Sequence, residues 1–285
     1  MSIKRLFRKK DHTPSSKIKR TTMLDKDFPF AVTEAFKALR TNIMFALSTR
    51  KSKIIAVSSA LPSEGKSTIA ANLAITFAQT DSKVLFIDAD LRKPVAHRTF
   101  DLQNKLGLST LLGGIDSFRE VLNSQVTEGL DVITSGPIPP NPSEMLGSEN
   151  MKVLLEKLTE FYDYIIIDTP PINIVSDTLN MLPFLAGVVL VARQGVTPND
   201  AFEEAVNAIK FADGHILGAI MGRVQTLGKV GYKKNYRYSR YSKYGYSKYG
   251  YKYGGSYGYG YGYGYGYGYG ESHNSEKSEK EEKKD

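Results

Sequence analysis

Residues 53–68 read KIIAVSSALPSEGKST, and this stretch decides the fold. Its first seven residues are mostly apolar and β-branched, which is typical of a strand that is buried on both faces. Periodic apolar residues at 66–78 then predict a helix. A strand that leads through a short loop into a helix is the building unit of an α/β domain.

The loop inside this stretch resembles a phosphate-binding loop. Gly65, Lys66 and Ser67 match the second half of the pattern G-x-x-x-x-G-K-[ST], although Ala60 occupies the position of the first glycine. Backbone N–H groups of such a loop, together with the positive end of the following helix, bind phosphate groups. The residues predicted to bind the nucleotide are Ser63, Glu64, Gly65, Lys66, Ser67 and Thr68.

The alternation of strands and helices continues along the chain. Near-continuous apolar strands indicate a mainly parallel sheet flanked by helices, so the predicted fold class is α/β and P-loop NTPase-like. The further predicted strands cover 83–88, 131–134, 164–168, 187–192 and 216–221. The further predicted helices cover 34–47, 143–161 and 198–211, and Ser143 is expected to cap the second of these.

Acidic side chains follow two of the predicted strands. Asp88 and Asp90 come at the end of one strand, and Asp168 ends another. Ligands of parallel sheets bind at the carboxyl ends of the strands. Because Mg²⁺ prefers oxygen ligands, three carboxylates beside a phosphate loop predict a site for Mg²⁺ and a nucleotide.

The net charge of +8 is distributed unevenly over the 285 residues. Residues 1–20 carry +7, residues 21–225 carry −5, residues 226–270 carry +8, and the last fifteen carry −2. A nucleic-acid-binding domain carries positive charge on its folded surface, so this distribution argues against nucleic acid as a partner. The chain has no cysteine, which excludes disulfides and thiolate metal sites.

Composition also sets the predicted domain boundaries. Sixteen of the eighteen tyrosines lie at 232–269, where they increasingly alternate with glycine and lack aliphatic partners for a core. We therefore predict a basic arm at 1–29, a P-loop domain at 30–225 and a disordered tail at 226–285. A self-associating Tyr/Gly/Arg segment is the alternative for the tail. No apolar run reaches the roughly 20 residues of a membrane-spanning helix and no secretory signal is visible, so a cytoplasmic protein is expected.

Three motifs together resemble those of bacterial protein-tyrosine kinases (BY-kinases) of the CpsD/CapB type, which accompany capsule and exopolysaccharide synthesis. The loop at 60–68 resembles their Walker A motif, FIDADLR at 86–92 their Walker A′ motif, and IIIDTPP at 165–171 their Walker B motif. The resemblance implies autophosphorylation in trans, in which the γ-phosphate of ATP passes to tail tyrosines of neighbouring copies and regulates polysaccharide synthesis and export. The implied acceptors are Tyr257, Tyr259, Tyr261, Tyr263, Tyr265, Tyr267 and Tyr269.

The resemblance also implies roles for the site residues. Lys66 would hold the β and γ phosphates, and Ser67 with Asp88 would lie nearest Mg²⁺. Asp90 and Asp168 would support the water shell of the metal. Asp88 is also the candidate that accepts or orients the proton of the tyrosine hydroxyl. The sequence leaves the division of roles between Asp88 and Asp90 open.

Glu34, Lys37 and Arg40 resemble the family's oligomerisation helix, in which Glu, Arg and Arg follow at intervals of three. Residues at this spacing share a helix face, so the resemblance implies a homo-oligomeric ring, with a solvated face as the alternative. It further implies a separate membrane-bound activator with a cytoplasmic C-terminal segment, and a protein-tyrosine phosphatase. The basic arm would then lie at the inner face of the plasma membrane, with simple disorder as the alternative.

Two other functions compete with a kinase. A regulatory ATPase of the ParA/MinD kind would share the phosphate loop, but those proteins carry a second lysine where this chain has Leu61. Such an ATPase also has no need of a tail with sixteen tyrosines. A non-enzymatic scaffold that works through Tyr and Arg contacts leaves the three acidic residues unexplained.

Overall fold

The computed structural model describes residues 28–223. The strands are β1 (Ile54–Ser59), β2 (Val84–Asp88), β3 (Leu122–Thr127), β4 (Leu130–Ile133), β5 (Tyr164–Asp168), β6 (Gly187–Arg193) and β7 (Ile216–Gly222). They form one sheet in the order β3-β4-β2-β5-β1-β6-β7, and every neighbouring pair is parallel except β3 and β4. This sheet confirms the predicted α/β class.

Helices cover the sheet. They are α1 (Phe30–Ala46), α2 (Lys66–Ala78), α3 (Ala96–Phe100), α4 (Leu108–Leu112), α5 (Phe118–Val121), α6 (Pro142–Leu146), α7 (Glu149–Leu158), α8 (Asp177–Met181) and α9 (Asn199–Phe211). A 3₁₀ turn follows α8 at Leu182–Phe184. Helix α2 begins and ends where the sequence predicted, and Gly65 of the phosphate loop directly precedes its first residue.

Alternate residues of the central strands enter two different cores. Phe86 of β2 packs into the core that contains Phe77 of α2, whereas its neighbour Leu85 packs into the core that contains Leu155 of α7. All four side chains are almost completely buried. Helix packing on both faces explains why these strands are apolar without interruption.

Three features differ from the sequence prediction. The single helix predicted for 143–161 is two helices, α6 and α7, because the Ser148 hydroxyl accepts a hydrogen bond from the Met151 N–H and starts a new helix. Ser143 lies inside α6, which follows Asn141, so the prediction that Ser143 caps the helix was wrong. Strand β3 was not predicted because its sequence, LNSQVT, is largely polar and only partly buried.

The sheet order brings the predicted site together. Strands β2, β5 and β1 are adjacent, and Asp88 at the end of β2 is in register with Asp168 at the end of β5. Asp168 is in turn in register with Val57, just before the phosphate loop. The predicted tail and nearly all of the predicted arm lie outside the described residues. Between residues 28 and 223, no helix is long and apolar enough to cross a membrane.

Candidate active site

The phosphate loop joins β1 to α2 in a left-handed backbone conformation. Gly65 has a φ of 96°, a value that side chains of L-residues rarely adopt. A Cβ atom at this position would meet no atom within 4 Å, so the backbone conformation, rather than crowding, requires glycine. Ser63 shares the positive φ, at 67°. The loop therefore turns sharply and leaves open space in front of the start of α2.

Lys66 is the centre of the candidate site. Its ammonium group lies 2.9 Å from Asp90 Oδ2, 3.2 Å from Asp168 Oδ1 and 3.2 Å from Ser67 Oγ. Burial lowers the pKa of the ammonium group, but the charges and hydrogen bonds of Asp168 and Asp90 outweigh it, so the pKa is raised. Lys66 stays protonated, and a cation faces the phosphate loop.

Asp168 is completely buried, and one of its oxygens has no partner. Burial raises the pKa of its carboxyl group, while the charge of Lys66 and a hydrogen bond from Ser67 act in the opposite direction. Oδ2 accepts no hydrogen bond from any described residue. A buried, unpartnered carboxylate oxygen is costly unless something binds to it. A metal ion or one of its water ligands would supply that partner.

Mg²⁺ fits this donor set. Within residues 28–223, no cluster of three or more His, Cys, Asp or Glu side chains could hold a metal ion by itself. Mg²⁺ commonly binds through one or two protein oxygens, and water and phosphate oxygens complete its octahedron. Ser67 and Asp168 could hold such an ion beside the phosphates of a nucleotide.

Asp88 is placed differently from Asp90, although both belong to the same motif. Its Oδ2 accepts hydrogen bonds from the N–H groups of Val95 (3.1 Å) and Ala96 (2.9 Å), and its Oδ1 accepts one from the Asp90 N–H (3.2 Å). Burial and the charge of Asp168 raise the pKa of Asp88 to about 7. The structure thus brings Lys66, Ser67, Asp90 and Asp168 into contact, and it directs the Asp88 carboxylate toward its own loop.

Glu64 does not present its side chain to the phosphate position. The carboxylate is buried, and it accepts hydrogen bonds from the Leu61 N–H (3.1 Å) and the Thr197 hydroxyl. Thr197 Oγ1 also accepts a hydrogen bond from the Arg193 N–H. Glu64 therefore fixes the shape of the phosphate loop against the segment after β6, and only its backbone can face a phosphate.

A cavity of about 930 Å³ lies beside the loop and is large enough for a nucleoside. Gly65 and Thr68 line it on one side, and Arg193 and Arg223 line it at the ends of β6 and β7. The two arginines were not singled out in the sequence, because no motif marks them. Their signal is positional, since Arg193 is the last residue of β6 and Arg223 directly follows β7, and both strands end at the ligand-binding edge of the sheet.

The predicted oligomerisation residues do not share one free surface. Lys37 Nζ lies 2.8 Å from Glu34 Oε1 on the exposed side of α1. Arg40 instead turns inward and donates a hydrogen bond from Nη1 to the Thr76 carbonyl at 2.7 Å, in the last turn of α2. Only Glu34 and Lys37 are thus paired on the surface of this helix.

Similarity to known proteins agrees with this geometry. A family profile described as an AAA domain matches residues 52–196. The tyrosine-protein kinase YwqD of Bacillus subtilis (strain 168) is 43% identical over 213 residues, which cover 75% of this chain and 85% of YwqD.

Two solved structures are similar over most of the described residues. The kinase domain of the Escherichia coli tyrosine kinase ETK is 37% identical, with a TM-score of 0.67, over 73% of this chain and 85% of that one. The crystal structure of the chimerical protein CapA2B2 is 39% identical, with a TM-score of 0.65, over 70% of this chain and 86% of that one. The chain shares its fold with these structures, and its lysine lies between two carboxylates near the strand ends. Because of its similarity to these relatives, the chain belongs to the family of bacterial tyrosine-protein kinases.

Proposed function

We propose that this chain transfers the γ-phosphoryl group of ATP to tyrosines in the C-terminal tail of a neighbouring copy. The observation that carries the proposal is the contact of Lys66 with Asp90 and Asp168 at the ends of β2 and β5, in front of the phosphate loop. A single cation between two strand-end acids is suited to phosphoryl transfer, in which catalysis consists mainly of positioning and charge stabilisation.

The site residues have different roles in the proposed phosphoryl transfer. Lys66 and the backbone of the phosphate loop bind the β and γ phosphates, and Ser67 and Asp168 would hold Mg²⁺, which supplies charge neutralisation on the transferring group. The tyrosine oxygen attacks the γ-phosphorus, the bond to the β,γ-bridging oxygen breaks, and ADP leaves. A tyrosine with an ordinary pKa near 10 needs a carboxylate to take its proton. Asp88 and Asp90 are the two candidates for this step.

The tail is the proposed acceptor because of its composition. Sixteen tyrosines at 232–269 offer many equivalent hydroxyl groups. Each phosphate adds about −1.5 to −2 charges at neutral pH, so full modification would convert the +8 of residues 226–270 into a strongly negative segment. Phosphorylated tails would repel one another and the acidic domain. We therefore propose that phosphorylation dissociates a ring of copies, and that a protein-tyrosine phosphatase restores it.

The cellular setting is part of the same proposal. The +7 charge of residues 1–20 would attract the arm to the anionic inner surface of the plasma membrane, where each basic residue contributes about 1 kcal/mol. A separate membrane-bound activator would supply a cytoplasmic segment to the kinase. The resemblance of the motifs to kinases of capsule and exopolysaccharide synthesis supports a role in regulating polysaccharide production and export.

Phosphotyrosine labelling tests the proposal. The full chain is incubated with Mg-ATP and the cytoplasmic segment of the activator, and phosphotyrosine is measured beside the release of ADP. Lys66→Met should abolish labelling, whereas Lys152→Met should not, because Lys152 forms only an exposed pair with Glu149. ATP hydrolysis without phosphotyrosine would favour the ParA/MinD-like alternative.

A mixing experiment tests transfer between copies. One copy carries Lys66→Met with an intact tail, and the other has an active site but phenylalanine in place of its tail tyrosines. Labelling of the Lys66→Met copy requires transfer in trans. An unlabelled mixture, when the unmodified chain labels itself, would show that transfer occurs within one copy.

A further inference from the structure

An ion pair between the exposed Arg92 and the buried Asp177 joins the loop of the Walker A′ motif to a helix beyond β5. The guanidinium group of Arg92 binds the Asp177 carboxylate with two parallel contacts, Nε to Oδ2 at 2.8 Å and Nη2 to Oδ1 at 2.9 Å. Asp177 is completely buried, and its Oδ1 also accepts a hydrogen bond from the Ser143 hydroxyl. A two-pronged contact of this kind fixes direction as well as distance.

The three residues come from three separate elements near the candidate site. Arg92 lies in the segment between β2 and α3, Ser143 lies in α6, and Asp177 is the first residue of α8. Helix α8 is itself held to the segment after β5, since the Thr178 hydroxyl donates a hydrogen bond to the Pro170 carbonyl at 3.0 Å. The ion pair therefore connects the segments that follow the ends of β2 and β5.

The carboxylates that contact Lys66 lie next to these two segments, because Asp90 belongs to the first of them and Asp168 is the last residue of β5. Asp90 is two residues before Arg92, and its Oδ1 accepts a hydrogen bond from the Lys93 N–H at 2.9 Å, which leaves Oδ2 free to reach Lys66. Arg92 lies inside this turn, between Asp90 and Lys93. A displacement of Arg92 would thus move the turn that orients the Asp90 carboxylate.

We propose that the Arg92–Asp177 ion pair is a positioning brace that holds Asp90 at its working distance from Lys66 and Asp168. In this role Arg92 and Asp177 are positioning residues, and both act through Asp90. The brace acts on the kinase reaction proposed above and so rests on that proposed function. A displacement of about 1 Å in a catalytic group can lower a rate by about 100-fold.

A purely structural ion pair would behave differently from a positioning brace. Its loss would lower the melting temperature, but the folded fraction of the enzyme would keep its kcat. A brace that orients Asp90 in the transition state would lower kcat and leave the KM for ATP almost unchanged, since the phosphate loop and Lys66 still bind the nucleotide. The split between kcat and KM therefore separates the two roles.

The experiment uses the full chain with the activator segment and measures tail phosphotyrosine formation as a function of ATP concentration. Arg92→Lys keeps the charge beside buried Asp177 but loses the planar fork. We expect kcat to fall about 10- to 100-fold with the KM for ATP unchanged within about threefold. Arg98→Lys is the matched control, because Arg98 is an exposed residue of α3 whose contact with the Pro94 carbonyl is long, at 3.5 Å.

A second variant and the double variant complete the test. Asp177→Asn should lower kcat to a similar extent, and Arg92→Lys with Asp177→Asn should be no slower than the worse single variant, because both changes break the same contact. If Asp177→Asn does not fold, Arg92→Lys alone decides the question. Unchanged kcat in folded Arg92→Lys, or an increase in KM alone, would overturn the brace and leave the kinase proposal intact. No labelling by the unmodified chain would overturn both.

Discussion

Replacing Asp88 with asparagine should change how the stability of the nucleotide-free protein depends on pH. Burial, reinforced by the charge of Asp168, raises the pKa of Asp88 from 3.8 to about 7. The folded state therefore holds this proton more tightly than the unfolded state does. The stability that Asp88 contributes is fully present below about pH 4 and is lost as the pH rises through 7.

The size of the effect follows from this pKa. At 1.36 kcal/mol for each pH unit, the full loss is about 4 kcal/mol, and about 2 to 3 kcal/mol of it falls between pH 5 and 8. Asparagine cannot titrate, so the loss disappears in Asp88→Asn. Asparagine also accepts fewer of the hydrogen bonds that Val95, Ala96 and Asp90 donate. The loss of these hydrogen bonds lowers the free energy of unfolding by the same amount at every pH, so it does not alter the dependence of stability on pH.

Urea unfolding of the full chain between pH 5 and 8, with a chelator and without nucleotide, measures the effect. The chain has no tryptophan and most of its tyrosines lie in the tail, so far-UV circular dichroism is the suitable signal. The free energy of unfolding of the unmodified chain should fall by about 2 to 3 kcal/mol relative to Asp88→Asn over this range. Curves that run parallel from pH 5 to 8 would show that the folded state does not raise the pKa of Asp88.

Lys66→Met is a second variant for the same test. The charge of Lys66 lowers the pKa of Asp88, so its removal should raise this pKa further and make the loss of stability with pH larger. A flatter curve in Lys66→Met than in the unmodified chain would contradict the proposed interaction between the two groups.

Three shorter predictions concern the loop and the opposite end of the sheet. Gly65→Ala should lower stability by about 1 to 2 kcal/mol and weaken ATP binding in a titration, because the φ of 96° at this position strains alanine. An unchanged ATP affinity would contradict this prediction. Thr197→Val leaves the buried Glu64 carboxylate without one hydrogen-bond donor, so urea unfolding should show a loss of stability of about 1 to 3 kcal/mol. An unchanged stability would show that this hydrogen bond does not hold the phosphate loop in place. Tyr162→Phe removes a 2.7 Å hydrogen bond to Asp131 and should lower stability by about 1.5 kcal/mol in the same assay. The rate of phosphotyrosine formation should stay unchanged, and a slower rate would show that this end of the sheet affects the site.

Much of the fold could be predicted because the central strands are buried on both faces. Burial on both faces produces uninterrupted apolar runs such as the one in β5, whose predicted range and observed range agree. Edge strand β3 has no such run, since its face toward solvent is polar and its pairing with β4 is antiparallel. The division between α6 and α7 was visible in principle, because Gly147 and Ser148 form a helix stop followed by a cap.

The candidate site could be predicted only as far as strand ends determine it. Parallel strands place Lys66, Asp90 and Asp168 at one edge, and that convergence follows from the sequence. The different orientations of Asp88 and Asp90 depend on which backbone N–H groups the turn aims at each carboxylate. The ion pair of Arg92 with Asp177 joins residues 85 positions apart, and no local pattern indicates that they meet.

The buried cluster carries a charge imbalance that is typical of a ligand site rather than of a stable core. Asp88, Asp90 and Asp168 are all buried, and the ion pairs of this cluster within the described residues both involve Lys66. Three carboxylates against one ammonium group leave an excess of two negative charges when all are ionised, and burial makes this excess costly. A triphosphate without a cation would add to the excess, whereas a magnesium-loaded triphosphate brings compensating charge. The same imbalance weakens the nucleotide-free domain, and we therefore expect a metal-loaded nucleotide to be its preferred ligand.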